Sequence, residues 1–201
     1  MVIGERFAWA HLPKTAGTAA VAMFQAFDEL VHFADSPDDV DAHVRFRERP
    51  DQIDGKLLVL NIRRLPAWVI SRAWYVSRHG VYPDFDPIPL PGAQALAESS
   101  FPDGRLALFT DDGRLEIDRW LRAESLAGDV VSFVSGFRGV TEEERARVRQ
   151  VGRVNALDYD HDPSRWFTPA QIEQLYRSNP VWASVEERAY GNVYGKEALV
   201  A

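Results

Sequence analysis

The turn around residues 11–20 constrains the fold of this chain more than any other segment. A short apolar run from Phe7 to Leu12 stops at Pro13, and beyond it the apolar residues recur at helical spacing. The first pattern is typical of a buried strand, and the second predicts an amphipathic helix over residues 16–31. A strand that leads directly into a helix is the repeating step of α/β proteins.

The same step recurs further along the chain. Residues Lys56 to Ile62 are apolar along most of their length and predict a second buried strand. Pro66 suits the first turn of the helix that follows, which we expect to run to about Ser77. Two strand–helix steps predict a central parallel sheet with flanking helices, and we expect a single domain over residues 1–201.

The rest of the chain adds shorter elements. Residues 82–92 contain four prolines and predict a loop, whereas residues 105–121 could hold two short strands. Thr141, with Glu144 three residues later, has the spacing of a capping box at a helix start. The predicted helices are Ser125–Val134, Thr141–Val151 and Thr168–Tyr176.

Composition excludes several kinds of chemistry. The chain has no cysteine, which rules out disulfides, thiolate nucleophiles and cysteine metal sites. Its net charge of -7 argues against a general nucleic-acid binder, because such proteins carry a basic stripe. The sequence shows no basic leader with a long apolar stretch, and no apolar window long enough to span a bilayer. We therefore expect a cytoplasmic protein that binds neither membranes nor nucleic acids.

The first strand-to-helix turn has the residue types of a phosphate-binding loop. The N–H groups at a helix start and the helix dipole attract an anion, and Gly17 would let the backbone approach it closely. Lys14 supplies positive charge, and the Thr15 and Thr18 hydroxyls could donate to phosphate oxygens. The alternative is an ordinary strand–turn–helix junction with an exposed lysine. The segment reads Pro13–Lys14–Thr15–Ala16–Gly17–Thr18–Ala19.

A second candidate phosphate site follows the second predicted strand. Arg63 comes directly after Ile62, at the carboxyl end of a parallel strand, where such sheets bind ligands. A guanidinium grips phosphate with two parallel hydrogen bonds, and Ser71, eight residues later, could close on it from the helix. The alternative is a surface arginine and a solvent-facing serine.

Both segments resemble the sulfotransferases that use 3′-phosphoadenosine 5′-phosphosulfate (PAPS). The 5′-phosphosulfate loop of that family reads P-K-[TSC]-[GAS]-[GS]-T, whereas lysine follows the last glycine in nucleoside-triphosphate loops. Family members bind the 3′-phosphate with a strand-ending arginine and a serine eight residues later. Arg64, Leu65 and Trp68 stand where the family has aspartate, proline and a second arginine.

The resemblance has consequences for fold, donor and ligands. It implies a P-loop-like fold, with PAPS as donor and 3′-phosphoadenosine 5′-phosphate (PAP) as product. It further implies that residues 14–19 bind the 5′-phosphosulfate and that Arg63 and Ser71 bind the 3′-phosphate.

A histidine between the two segments extends the resemblance. Residues 42–46 are similar to the G-H-V-x-F pattern of carbohydrate sulfotransferases of the 2-O type, with Ala42 in place of glycine. The resemblance implies that His43 is the general base, a role that suits an imidazole. The competing candidates are His11, His32, His79, Glu48 and Asp35.

The implied reaction is the in-line transfer of a sulfuryl group from PAPS to a hydroxyl of a sugar or another small molecule. No cluster of carboxylates stands beside the loop in sequence, so we expect no catalytic metal. Two alternatives stay open, a small P-loop kinase that uses ATP and magnesium and a degenerate nucleotide-binding domain without activity. Residues Arg165–Phe167 are candidates to cover the adenine ring.

Overall fold

Five short strands form one sheet in the part of the chain that the structure describes. The structure is a computed structural model, and it describes residues 1–34, 43–78, 98–152, 154 and 159–195. Across the sheet the strand order is β3-β1-β2-β4-β5. The strands are β1 (Val2–Ile3), β2 (Phe7–Ala10), β3 (Phe33–Ala34), β4 (Leu57–Ile62) and β5 (Arg119–Arg122).

The sheet is mixed. Strands β2, β4 and β5 are parallel, with Trp9 opposite Val59 and Val59 opposite Arg119. Strand β1 is antiparallel to both β2 and β3. Only a short turn joins β1 to β2, and strands joined so closely must run antiparallel. The α/β class is confirmed, and so is the parallel centre of the sheet, whereas the antiparallel edge formed by β1 and β3 was not predicted.

Eight α-helices lie within the described ranges. They are α1 (Gly17–Gln25), α2 (Pro50–Ile53), α3 (Leu65–Arg78), α4 (Phe101–Thr110), α5 (Leu126–Ser135), α6 (Glu142–Gln150), α7 (Pro169–Ser178) and α8 (Pro180–Tyr190). The capping box at α6 is confirmed, because the Thr141 hydroxyl accepts from the Glu144 N–H at 3.2 Å. Within these ranges, no helix has both the length and the apolar character needed to cross a bilayer.

Two predictions about local structure are wrong. The helix predicted over residues 16–31 ends at Gln25, and the φ of 58° at Glu29 is incompatible with a continuing right-handed helix. Of the two strands predicted between residues 105 and 121, only β5 exists, because the region begins with the end of α4. The loop predicted over residues 82–92 lies outside the described residues.

The chain divides into two compact units. The first comprises Met1–Ile62 and Ala107–Ala156, and the second comprises Arg63–Leu106 and Leu157–Ala201. The expectation of a single domain over residues 1–201 stays a prediction.

The first unit packs one face of the sheet against α1, α5 and α6. Phe7 and Trp9 are two residues apart on β2, so they share that face, and both are fully buried. The Phe7 ring stacks on Phe24 of α1 with centroids 5.2 Å apart and meets Phe133 of α5 edge-on at 5.4 Å. Burial of such side chains stabilises the fold by about 1.5–3 kcal/mol each, and it fixes the direction in which β2 enters the turn before α1.

The second unit is built from helices around a pair of tryptophans. Trp68 of α3 and Trp182 of α8 are almost completely buried, and their ring centroids lie 5.0 Å apart. The Asp103 carboxylate caps α8, since it accepts from the N–H groups of Val181 at 3.0 Å and Trp182 at 2.7 Å. A negative charge at a helix start is stabilising.

Candidate anion-binding loop and histidine pair

The turn between β2 and α1 is held from inside by one carbonyl group. Thr15 is fully buried, its Oγ1 donates to the Leu12 carbonyl at 2.5 Å, and its N–H donates to the same oxygen at 3.3 Å. The Thr15 hydroxyl is therefore engaged within the loop. This corrects the expectation that the hydroxyl donates to a phosphate oxygen and leaves Thr15 with a backbone role.

Two residues of the loop have left-handed backbone conformations. Lys14 has a φ of 71° and Ala16 a φ of 65°, whereas Thr15 between them and Gly17 after them have no positive φ. Such alternation turns successive N–H groups toward one side and forms a concavity that binds anions. Positive φ is uncommon outside glycine, and residues held there concentrate at functional sites.

Helix α1 begins without a side-chain cap. Its cap residue is Ala16, which has no acceptor in its side chain, and the first bond inside the helix runs from the Ala20 N–H to the Ala16 carbonyl at 3.1 Å. The N–H groups of the first turn therefore point out of the helix start, where they favour an anion. Lys14, half-buried in the same turn, adds a full positive charge.

Gly17 leaves space for a histidine. A Cβ at residue 17 would collide with the imidazole of His11, which directly follows β2. Gly17 has no positive φ, so backbone conformation does not require a glycine there. The glycine thus lets His11 pack against the start of α1. The expectation that it also lets the backbone approach a phosphate stays a prediction.

His11 forms a ring pair with His43. The His11 ring stacks on Trp9 with centroids 5.3 Å apart and meets the His43 ring edge-on at 4.4 Å. Only 9% of His11 is exposed, and burial, with a smaller contribution from the neighbouring His43, lowers the pKa of His11 to about 3. His11 is therefore a neutral imidazole at physiological pH.

His43 itself is exposed, beside His11 and so beside the start of α1. This is the neighbourhood that a base serving the loop needs. The competing Glu48 accepts from the Arg45 N–H at 2.9 Å and from Arg45 Nε at 2.6 Å, and these bonds hold the pKa of Glu48 below its usual value. A carboxylate stabilised in this way is a weak proton acceptor. Of the other competitors, His32 is exposed, whereas Asp35 and His79 lie outside the described residues.

Arg63 and Ser71 belong to the second unit. Arg63 directly follows β4, and its carbonyl accepts from the Trp182 indole N–H at 3.1 Å. Ser71 lies in α3 and is 4% exposed, so the solvent-facing alternative for this serine is excluded.

The positions that depart from the family pattern are built into the second unit. Arg64 Nη1 donates to Glu186 at 2.9 Å, and the same carboxylate accepts from the Leu65 N–H at 2.8 Å, which caps α3. Burial raises the pKa of Glu186, while the hydrogen bonds from Arg64, Leu65 and Tyr176 oppose that shift. Leu65 is fully buried and Trp68 is 1% exposed. Packing and capping therefore explain all three departures.

Asn61 is a site residue that sequence reasoning missed. It is fully buried in β4, where it accepts from the Trp9 indole N–H at 2.8 Å and donates to the Thr15 carbonyl at 2.8 Å. The sequence did contain a signal for it, since Asn61 is a single polar residue inside an apolar strand. Burying an amide is costly unless it is hydrogen-bonded, so such a residue indicates specific partners.

The predicted adenine cover is only partly accessible. Phe167 is 3% exposed and belongs to the core of the second unit, which removes it as a cover. Trp166 is half-buried and meets the Trp74 ring at 6.2 Å.

Two further features of the described residues bear on ligand chemistry. Within the described ranges, no group of three His, Asp or Glu side chains could hold a metal ion. A shallow depression lies at the amino end of β4, the opposite end of the strand from Arg63. Its lining is Pro50, Asp51, Ile53, Asp54, Gly55, Lys56 and Leu58.

Comparison with known proteins does not assign the chain to a family. No protein-family model, curated protein or solved structure matches it. The chemistry of the site is therefore argued from its own residues.

Proposed function

We propose that this protein is a sulfotransferase that moves a sulfuryl group from PAPS to a hydroxyl of a sugar or another small molecule. The observation that carries the proposal is the backbone of the P-K-T-A-G-T segment, in which Lys14 and Ala16 are left-handed and flank Thr15. That geometry forms an anion-binding concavity directly before an uncapped helix start.

The proposed donor site has two parts. In the first unit, the backbone N–H groups of the loop and Lys14 hold the 5′-phosphosulfate, with Thr18 and Ala19 in the first turn of α1. In the second unit, Arg63 and Ser71 hold the 3′-phosphate, which a guanidinium can grip with two hydrogen bonds. These residues supply only N–H, hydroxyl and ammonium donors, which fits an anion that needs no metal ion.

In the proposed reaction, His43 takes the proton of the acceptor hydroxyl. The oxygen forms a bond to sulfur as the bond between sulfur and the 5′-phosphate oxygen breaks. The electron pair of the broken bond passes to that phosphate oxygen, and Lys14 and the loop N–H groups stabilise its growing charge. The products are a sulfate ester and PAP, with the proton on His43.

A degenerate binding domain is the second candidate. Three positions of the second segment favour it, because they differ from the residue types of the family pattern and contribute to the packing of the second unit instead. These positions are Arg64, Leu65 and Trp68. Thermal shift with PAP and with ATP–magnesium separates the two candidates and the kinase alternative, because a ligand that binds only the folded state raises the melting temperature. PAP should stabilise the protein and ATP–magnesium should not, and failure of both nucleotides would favour a degenerate domain that has lost nucleotide binding.

A further inference from the structure

Asn61 connects the sheet to the candidate loop through a single side chain. Its Oδ1 accepts from Trp9 Nε1 at 2.8 Å, and its Nδ2 donates to the Thr15 carbonyl at 2.8 Å. An indole N–H can only donate, so the amide must present its oxygen to Trp9 and its nitrogen to Thr15. All three residues are fully buried, and water cannot substitute for either bond.

The Thr15 carbonyl determines where the next N–H points. Among the described residues all peptide bonds are trans, and in a trans peptide the C=O and the following N–H point in opposite directions. Asn61 holds the Thr15 oxygen toward β4, so the Ala16 N–H points away from the sheet. Among the backbone hydrogen bonds of the described residues, none has this N–H as its donor, and it lies between the left-handed Lys14 and the start of α1.

We propose that Asn61 is a positioning residue that aims the Ala16 N–H at the 5′-phosphate of the bound nucleotide, an inference that rests on the proposed function. The amide of asparagine meets both requirements, since it has an acceptor for Trp9 and a donor for Thr15. Aspartate would place an oxygen against the Thr15 carbonyl, and leucine would lose both hydrogen bonds. Trp9→Phe removes only the bond to Asn61 Oδ1 and keeps the bond to Thr15, which makes it the matched control.

The test compares two nucleotides that differ in one group. PAP carries a 5′-phosphate and adenosine 3′-phosphate does not, so only PAP reports on the loop. In calorimetric titrations, Asn61→Leu should weaken PAP binding by about 10-fold or more, the loss typical of a hydrogen bond to a charged group. Adenosine 3′-phosphate should bind the variant as it binds the wild type, and Trp9→Phe should weaken PAP binding by less than Asn61→Leu does.

A second measurement uses the wild-type protein alone, in case Asn61→Leu fails to fold. In amide NMR spectra, the Ala16 proton should move downfield on addition of PAP and stay in place on addition of adenosine 3′-phosphate. PAP binding without a shift at Ala16, or an equal loss of both nucleotides in Asn61→Leu, would overturn the positioning role alone. A wild-type protein that binds PAP no more tightly than adenosine 3′-phosphate would overturn the 5′-phosphate loop and with it the proposed function.

Discussion

The Lys14 loop and the Arg63–Ser71 segment carry the two halves of the same family resemblance, yet they are built differently. The loop keeps every residue type of the pattern and places two non-glycine residues at positive φ. The second segment keeps Arg63 and Ser71 of the pattern. Its departures from the pattern take part in helix capping and core packing, and they are Arg64, Leu65 and Trp68. The loop holds two residues in a conformation that is common at functional sites, whereas most of the second segment stabilises its own unit.

The two regions also contribute to the stability of the folded protein in opposite directions. A left-handed conformation costs about 1–2 kcal/mol for each non-glycine residue. The backbone conformations of Lys14 and Ala16 therefore lower the stability of the folded protein. Loss of Arg64 would leave the fully buried Glu186 carboxylate without its paired charge, at a cost of about 3–5 kcal/mol. Changes in the loop should therefore affect turnover, and changes at Arg64 should affect folding.

The largest effect is expected at His43, beside the loop. His43→Ala should lower turnover by about 10²–10⁴-fold, because general-base catalysis contributes that much, and PAP affinity should be unchanged. Steady-state kinetics across pH should show the acid limb of the wild-type profile, and the variant should lack it. His32→Ala, another exposed histidine of the first unit, is the control. An unchanged turnover in His43→Ala would assign the proton transfer to another group.

Lys14→Ala is expected to act mainly on the chemical step. Turnover should fall by roughly 10²-fold or more, since a positioned charge is lost from the breaking bond. PAP affinity should fall much less, because the backbone N–H groups of the loop remain. Alanine can adopt the left-handed backbone at a cost similar to that of lysine, so the fold should persist. Near-normal turnover would remove Lys14 from the mechanism.

Two adjacent arginines of the second segment have different expected roles, Arg63 in nucleotide binding and Arg64 in the stability of the fold. Arg63→Ala should weaken PAP by about 1.5–3 kcal/mol, the value for hydrogen bonds to a charged group, with a smaller loss for Ser71→Ala. Adenosine 5′-phosphosulfate, which lacks the 3′-phosphate, should bind both variants normally. Arg64→Ala is the contrasting control, which should lower the melting temperature without such selectivity. Equal losses of both nucleotides in Arg63→Ala would show that Arg63 does not read the 3′-phosphate.

The smallest effect concerns His11 and the stability of the first unit in acid. Its pKa is lowered from 6.5 to about 3, so the unfolded chain takes up a proton before the folded protein does. The resulting stability is complete above pH 6.5 and is lost as the pH falls toward 3. Between pH 7 and 5, His11 alone should remove roughly 2 kcal/mol from the free energy of unfolding. Urea titrations should show that fall in the wild type and a smaller one in His11→Leu, and equal falls would contradict the buried neutral imidazole.

Local signals in the sequence predicted much of this fold. The apolar runs located β2 and β4, and the Thr141–Glu144 spacing located the start of α6, because strand periodicity and capping depend on neighbouring residues. Helix α4 was missed, since Pro102 and Gly104 near its start are poor helix formers. Strand β5 forms by pairing with β4, a partner about 60 residues away, and no local pattern reveals such pairing.

The candidate site was predictable in its residue types but not in its connections. The pattern P-K-T-A-G-T indicates a loop, but it does not reveal that the Thr15 hydroxyl is bonded to Leu12 or that Gly17 makes room for His11. Both facts depend on contacts between β2 and the turn. The link from Asn61 to Thr15 spans 46 residues and follows from the pairing of β2 with β4.

The central claim is that the Lys14 loop binds the 5′-phosphate of a 3′-phosphorylated adenine nucleotide, and thermal shift tests it most directly. PAP at about 100 times its dissociation constant should stabilise the wild type by about 2.7 kcal/mol, which corresponds to about 5–10 °C in melting temperature for a chain of this length. ATP–magnesium should give no comparable shift. A shift with ATP–magnesium and none with PAP would contradict the account and favour a kinase, and no shift with either would contradict it as well.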